Sequence, residues 1–221
     1  TKVNKKEALK YYKMSAEKGY IIDMFNYADI LYNGYDDIQK NIEEALLYLK
    51  KSADLGISNS IYLYGYLLYH GTEVEKNKIE AFNYFKLAAK KGFNQGMYYY
   101  GFMLFKGDEI QMDKEEGLKY IKLSADNGSK DAMYTYAKIL FYGDGVEANQ
   151  SEGLHYYKMA VEHGSANAIY DFAHFLNEGV VVKENKAEAA KFFKLAADMG
   201  IADSMYCCGA CFLNGIGFDE N

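Results

Sequence analysis

The residues of this chain best suited to metal chemistry are three cysteines near its carboxyl end. Cys207 and Cys211 lie four positions apart, which places both thiols on one face of a helix, and Cys208 lies between them. A structural zinc site takes four ligands, and no histidine supplies an HxxxH or CxxC-type spacing that would complete one. The histidines are His70, His155, His163 and His174. We therefore expect buried free thiols, with no metal and no cofactor.

Catalytic motifs are also missing from the sequence. A nucleophilic enzyme needs a nucleophile, a base and oxyanion donors that converge on one point. The chain has no GxSxG, P-loop or HExxH pattern, and it has no spaced carboxylate pair outside a set of regularly repeated glutamates. We expect no catalytic residues, and the chain is predicted not to be an enzyme.

Aromatic side chains are the feature of the composition that indicates a function. The chain has 23 tyrosines and 13 phenylalanines, and tyrosine offers a large, rigid contact area with a polar tip, which suits protein interfaces. All 25 basic residues are lysine, so no guanidinium fork is present for bidentate phosphate recognition. The net charge of −6 argues against nucleic acid as the main partner. The composition therefore favours a protein or peptide partner.

These side chains lie on a repeated unit of about 36 residues. One series of glycines has spacings of 37, 36, 36, 36 and 36 residues: Gly19, Gly56, Gly92, Gly128, Gly164 and Gly200. A second glycine follows each member of this series after a further helical pattern, and it ends the repeat. The repeats span 4–34, 41–71, 77–107, 113–143, 149–179 and 185–215. A fixed period of this size is typical of stacked supersecondary units. We predict an all-α fold, an α/α superhelix (solenoid) of six helix-turn-helix repeats.

The start of the first helix in each repeat has a capping signal. An asparagine or aspartate lies 15 residues before the closing glycine and is followed three residues later by glutamate, as in Asn77 and Glu80. The first helix should then be about 13 residues long. In the second helix a small residue, such as Gly65, Gly101 or Gly209, is expected where helices cross closely. One lysine in each first helix is expected to form a solvated face: Lys13, Lys50, Lys86, Lys122, Lys158 and Lys194.

The sequence predicts neither a membrane span nor an internal domain boundary. No apolar run approaches the 18 residues that a membrane span needs. Thr1 is not an initiator, and Asn221 is at the cap position of a seventh helix, so we expect a fragment of a longer protein whose first three residues form a frayed tail. No linker divides the array, so residues 1–221 are predicted to be a single domain. The few unpaired cysteines favour a cytoplasmic location over a secretory lumen.

The repeat resembles the Sel-one-like repeat (SLR) family, a relative of the tetratricopeptide repeat. The residues that carry the resemblance are the pattern EA…YYKxAAxxGxxxAMYxYAxxLYxG and the loop GDGV at Gly143 to Val146, and it covers essentially Asn4 to Gly215. The resemblance implies a scaffold or adaptor. A cysteine-rich bacterial branch of the family binds or hydrolyses penicillin-like compounds, but it has a cysteine pair in nearly every repeat, whereas five repeats here have none.

By similarity to tetratricopeptide arrays, the second helix of each repeat lines the concave face. Two rows of positions that vary between repeats are therefore predicted to bind a partner. The expected partner-binding residues are Tyr66, Phe102, Lys138 and His174 in one row, and Tyr69, Phe105, Phe141 and Asn177 in the other. A third row is aromatic throughout and is expected to pack between repeats: Phe25, Tyr62, Tyr98, Tyr134, Tyr170 and Tyr206.

Three functions remain open at this point. The first is a protein-interaction scaffold or adaptor that binds a peptide or partner helix in a concave, aromatic-rich groove. The second is a structural or oligomerising spacer of a larger signalling or quality-control protein, which self-associates. The third, a hydrolase of the cysteine-rich branch, is the least favoured because the cysteines occur only in the last repeat.

Overall fold

The computed structural model describes residues 4–35 and 38–217, and in these residues the chain forms twelve α helices. They are α1 (Lys5–Glu17), α2 (Ile21–Asn33), α3 (Ile42–Asp54), α4 (Ser58–His70), α5 (Lys78–Lys90), α6 (Asn94–Lys106), α7 (Lys114–Asp126), α8 (Lys130–Tyr142), α9 (Gln150–Glu162), α10 (Ala166–Glu178), α11 (Lys186–Asp198) and α12 (Ala202–Leu213). Every helix has 13 residues except α12, which has 12, so the predicted helix length is confirmed. The predicted tail at residues 1–3 and the predicted cap at Asn221 lie outside the described residues.

Each odd-numbered helix begins at the predicted cap. The side chain of the cap residue accepts the backbone N–H of the glutamate three positions later, at 3.0–3.2 Å. The return bond differs from a standard capping box, because the glutamate accepts from the asparagine side-chain amide, as Glu80 does from Asn77 at 3.2 Å. The backbone N–H of Asn77 donates instead to the carbonyl of Leu68 in α4, at 2.9 Å. The cap therefore joins each loop to the helix before it.

The glycines end the helices as predicted. All twelve have φ between 63° and 100°, a left-handed conformation that costs glycine no Cβ clash. The positions of the helices in the sequence are therefore set by local signals at both ends of each helix.

The described chain falls into two compact units, Thr1–Gly117 and Leu118–Asn221. In the first unit each helix from α1 to α5 packs against the next one in the chain, and the pairs α2–α3 and α4–α5 join successive repeats. In the second unit α8 to α12 do the same. The prediction that residues 1–221 form a single domain stays a prediction.

Small residues mark the closest helix contacts, although not everywhere that the sequence predicts. A Cβ atom on Gly65 would lie 3.0 Å from the Cβ of Tyr84, so the expected close contact is confirmed there. The expectation is not tested at Gly209, where a Cβ would meet nothing within 4 Å, because no helix follows α12 among the described residues. The tightest contacts were missed: a Cβ on Gly96 would overlap the Cβ of Ala88, and a Cβ on Gly117 would lie 2.6 Å from the backbone N of Phe105. Glycines outside the predicted position therefore also allow close helix contacts.

The lysine row does more than form a solvated face. Lys13 Nζ lies 3.0 Å from Glu44 Oε1, and Lys122 Nζ lies 3.2 Å from Glu152 Oε1. Each pair joins the first helix of one repeat to the capping glutamate of the next. Because these side chains remain partly exposed, each pair contributes at most about 1 kcal/mol, but the pairs connect successive repeats.

Candidate functional site

The structure separates the eight predicted partner-binding residues by exposure. Lys138 is exposed, and five side chains are half-buried: Tyr66, Tyr69, Phe102, His174 and Asn177. Phe105 and Phe141 are only 2% and 5% exposed. These two rings therefore form part of the core beneath the helix surface, and a partner could touch the other six without rearranging it.

In the first unit, the predicted residues Tyr66 and Tyr69 belong to a group of packed rings. We name Tyr66, Tyr69, Phe85 and Tyr99 the stacked-ring site. The rings of Phe85 and Tyr99 stack with centroids 4.8 Å apart and planes at 22°. Tyr66 and Tyr69 approach Tyr99 edge-on, at 5.7 and 5.8 Å. Such ring pairs each add about 0.5–1.5 kcal/mol beyond the apolar area that they bury.

The hydroxyl of Tyr69 is fixed by a carboxylate. It donates to Asp108 at 2.9 Å, and Lys78 forms an ion pair with the same carboxylate. Burial, and then the hydrogen bond to Asp108, raise the pKa of Tyr69 to about 12. Lys78 in turn holds the pKa of the Asp108 carboxyl below its usual range. The stacked-ring site therefore presents uncharged rings, and the carboxylate beside it is already neutralised.

In the second unit, the positions that correspond to Phe85 and Tyr99 belong to a different group of side chains. We name Tyr134, Tyr142, Tyr157 and Asp171 the carboxylate site. Tyr157 and Asp171 lie 72 residues, or two repeats, after Phe85 and Tyr99. The ring stack is replaced by a hydrogen bond, which the Tyr157 hydroxyl donates to Asp171 at 3.1 Å.

The rings around this carboxylate are tightly packed on one side and open on the other. Tyr157 is 0% exposed, and its ring lies edge-on to Tyr134 at 6.0 Å. Asp171 is half-buried, and Tyr142 is exposed. The ammonium of Lys138 lies 5.3 Å from the centre of the Tyr134 ring. The carboxylate site thus combines a half-buried negative charge with one buried and one exposed phenol ring.

His174 and Asn177 lie further along α10. The His174 ring is 5.0 Å from Phe193 and 4.8 Å from Tyr170, and its Nδ1 lies 3.4 Å from Glu178. Its buried Nε2 has no hydrogen-bond partner among the described residues. His174 therefore combines a packed ring with one polar atom that remains unsatisfied.

The wholly aromatic row packs between repeats at the positions that can be compared. Tyr62 lies 5.5 Å from Phe93 of the next repeat, and Tyr170 lies 6.1 Å from Phe193. Tyr206 differs, because it is 80% exposed. The packing role expected for this row is confirmed for Tyr62, Tyr134 and Tyr170, and it is not tested for Tyr206, because no repeat follows α12 among the described residues.

The three cysteines are free thiols, as expected from the sequence. Cys208 and Cys211 are buried and Cys207 is half-buried. Burial raises the pKa of all three, which favours the inert thiol form. Across 4–35 and 38–217, no group of three or more histidine, cysteine, aspartate or glutamate side chains could hold a metal ion. Among the helices of these same residues, none is both long and apolar enough to cross a bilayer.

The carboxylate site was not predicted from the sequence. The one signal was Asp171, an aspartate between Tyr170 and Phe172 in the largely apolar sequence of α10. Its hydrogen bond to α9 could be recognised only once the packing of the two helices was known.

The family comparison agrees with this architecture. The model described as the Sel1 repeat matches residues 1–20, 22–57, 58–93, 94–129, 130–165 and 166–201. The first matched unit covers α1, and each of the other five begins at an even-numbered helix, so the units have the predicted period but a different starting point. The comparison with curated proteins gave no match.

Solved structures share the fold. A Sel1 repeat protein from Oxalobacter formigenes is 24% identical with a TM-score of 0.86, and all of this chain covers 64% of it. A protective antigen of uropathogenic Escherichia coli that displays an SLR fold is also 24% identical with a TM-score of 0.80, and this chain covers 46% of it. An immunity protein from Pseudomonas aeruginosa is 20% identical over 86% of this chain and 72% of its own, with a TM-score of 0.57. The chain thus spans about half to two thirds of the first two proteins, and the predicted all-α repeat superhelix is confirmed as the fold class.

Proposed function

Because the chain belongs to the Sel1 repeat family, we propose that it is a protein-interaction module that binds a peptide or a partner helix through its even-numbered helices. Sel1 repeat proteins are generally interaction scaffolds without enzyme activity. The proposed binding surface is a concave, aromatic-rich groove of the kind that stacked helix pairs form. No catalytic role is proposed for any residue.

The observation that carries this proposal is the exposure pattern of the even-numbered helices. The residues proposed to contact the partner are half-buried or exposed, and they are Tyr66, Tyr69, Phe102, Lys138, His174 and Asn177. Phe105 and Phe141 are proposed to support this surface from the core. Rings that are fixed in position and partly exposed lose little conformational entropy on binding, which is why they suit recognition.

The test is selection of ligands from a random-peptide display library, followed by affinity measurement with synthetic peptides. The site variant is Tyr66→Ala with Phe102→Ala. The matched control is Tyr11→Ala with Leu47→Ala, which removes two exposed apolar side chains from odd-numbered helices. Circular dichroism checks that both variants remain helical.

We expect the site variant to weaken binding of the selected peptides by about tenfold or more, since buried aromatic contacts dominate interface energies. The control should change the affinity by less than about twofold. An equal loss in both variants, or none in the site variant, would contradict the proposed surface. Sedimentation at increasing concentration, with assembly and no peptide binding, would favour the oligomerising spacer instead.

A further inference from the structure

One arrangement recurs in the part of the chain that the structure describes: a tyrosine hydroxyl donates to a carboxylate that a lysine also approaches. The groups are Tyr27, Glu44 and Lys13; Tyr84, Asp54 and Lys50; Tyr69, Asp108 and Lys78; and Tyr136, Glu152 and Lys122. Glu44, Asp108 and Glu152 are half-buried, and the lysine compensates the charge that they bring out of water, whereas Asp54 is exposed. In these four groups, a carboxylate that binds a tyrosine hydroxyl is accompanied by a lysine.

Asp171 does not follow this rule. It accepts the Tyr157 hydroxyl at 3.1 Å, yet no lysine or histidine nitrogen of 4–35 and 38–217 lies within ion-pair distance of its carboxylate. The case of Asp126 is different, because it is exposed and Lys122 lies 3.0 Å from the tyrosine hydroxyl that binds it. Asp171 is thus a half-buried carboxylate without its own cation.

The electrostatic effect of this charge extends to the surrounding phenols. Burial, and then the charge of Asp171, raise the pKa of Tyr134 and of Tyr157 well above the ordinary tyrosine value. An uncompensated carboxylate in such surroundings loses hydration that a cation would replace. The negative charge of Asp171 therefore favours a positive charge beside it.

The phenol rings beside Asp171 favour a cation as well. Phenol rings attract cations at their faces, and the Lys138 ammonium already lies 5.3 Å from the centre of the Tyr134 ring. Phe141 packs edge-on against Tyr157 at 5.8 Å and holds that ring in place. Tyr142 is exposed and Asp171 half-buried, so solvent reaches both side chains.

We propose that the carboxylate site binds one basic side chain, a lysine ammonium or an arginine guanidinium, of a peptide bound by this chain. The cation occupies the place beside Asp171 that lysine fills in the recurring groups, with its stem against the rings of Tyr134 and Tyr142. This inference rests on the proposed function and adds to it a requirement for a positively charged residue in the ligand.

The experiment uses N-acetyl-arginine amide as the probe and N-acetyl-norleucine amide as its neutral counterpart. Binding is followed by NMR through the ring signals of Tyr134, Tyr142 and Tyr157 in protein with ¹³C-labelled tyrosine. The test variant is Asp171→Asn, which keeps the shape of the side chain and removes its charge. The matched control is Asp131→Asn, an exposed aspartate on α8.

We expect saturable shifts of the three tyrosines with the arginine probe, an affinity at least about tenfold weaker in Asp171→Asn, and an unchanged affinity in Asp131→Asn. Equal shifts with the neutral probe, equal affinity in Asp171→Asn, or no saturable shift would overturn the proposal.

A second variant keeps the test valid even if Asp171→Asn does not fold. Lys138→Met removes a positive charge beside the carboxylate site, so the arginine probe should bind several-fold more tightly. Unchanged or weaker binding would overturn the proposal. Because the probe needs no peptide partner, a negative result here leaves the display experiment on Tyr66 and Phe102 intact, and the two proposals can fail separately.

Discussion

The stacked-ring site and the carboxylate site lie two repeats apart in the sequence and use equivalent positions in different ways. In the first, Phe85 and Tyr99 stack ring on ring at 4.8 Å. In the second, Tyr157 donates a hydrogen bond to Asp171 at 3.1 Å. The acid beside the first site, Asp108, has a lysine partner, whereas Asp171 has none among the described residues.

The comparison shows that the repeat restricts some positions far more than others. The caps and terminal glycines are the same in both regions, but the small residues have exchanged places. Gly65 and Ala81 in the first region correspond to Ala137 and Gly153 in the second. The position of the small residue at the helix contact therefore differs between the regions. The side chains between the caps and the terminal glycines can differ from repeat to repeat.

The largest expected effect comes from the ring that anchors the first site. Phe85 is fully buried, so Phe85→Ala should lower the free energy of unfolding by about 3–5 kcal/mol. Leu87→Ala, two residues along α5 at a 40% exposed position, should cost less than about 1 kcal/mol. Urea unfolding followed by circular dichroism measures both. Similar losses in the two variants would show that Phe85 is not the anchor.

The hydrogen bond of the second site can be broken and then replaced by the arrangement of the first. Tyr157→Phe removes the donor to Asp171 and should cost about 1–3 kcal/mol in urea unfolding. The double variant Tyr157→Phe with Asp171→Tyr restores the pair of residue types found at Phe85 and Tyr99. We expect it to be more stable than the single variant. The single variant Asp171→Tyr is measured as well. If the double variant loses as much free energy of unfolding as the two single variants together, the two regions are not interchangeable.

The small residues allow a matched pair of substitutions. A Cβ on Gly153 would lie 2.9 Å from the backbone N of Phe141, so Gly153→Ala should destabilise the chain by about 1–3 kcal/mol. At Gly209 a Cβ meets nothing, and Gly209→Ala should stabilise by up to about 1 kcal/mol through helix propensity. Thermal unfolding of the two variants should therefore shift in opposite directions, and a shift in the same direction would refute this account of the packing.

The smallest expected effect is a change in acid stability. Lys78 lowers the pKa of Asp108 from its usual 3.8, so the folded state releases this proton more readily than the unfolded state. The stability that follows is present above pH 3.8 and is lost as the pH falls below it. Asp108→Asn should flatten the decline of stability between about pH 5 and pH 2, and Tyr69→Phe should do so in part. An unchanged decline in Asp108→Asn would show that the ion pair does not contribute.

How much the sequence predicts depends on how local the signal is. The cap at Asn77 and the glycine at Gly92 act within a few residues, and both were placed correctly. The burial of Phe105 was not foreseen, since helical periodicity alone does not distinguish a ring at the surface from one turned slightly into the core. Gly65 contacts Tyr84 in the first helix of the next repeat, a long-range neighbour that the sequence position of the glycine alone does not identify.

The remaining features depend on residues far apart in the chain. The hydrogen bond from Lys122 to Glu152 joins residues 30 positions apart, and neither residue is unusual in its local sequence. The carboxylate site needs three helices, α8, α9 and α10, to come together around Asp171. These features follow from tertiary packing, and a single sequence contains no local pattern for them.

The bond between each cap and the preceding helix has a consequence for how such a chain could change over evolutionary time. Asn77 N donates to Leu68 O at 2.9 Å, nine residues back, and Asn41 N donates to Leu31 O at 3.0 Å, ten residues back. The loop length thus varies, while the hydrogen bond that closes the loop is kept. Insertions that begin and end between the clamped residues should leave the helices undisturbed, so these loops are natural places for new segments, and whole units can be duplicated or removed at the same joints.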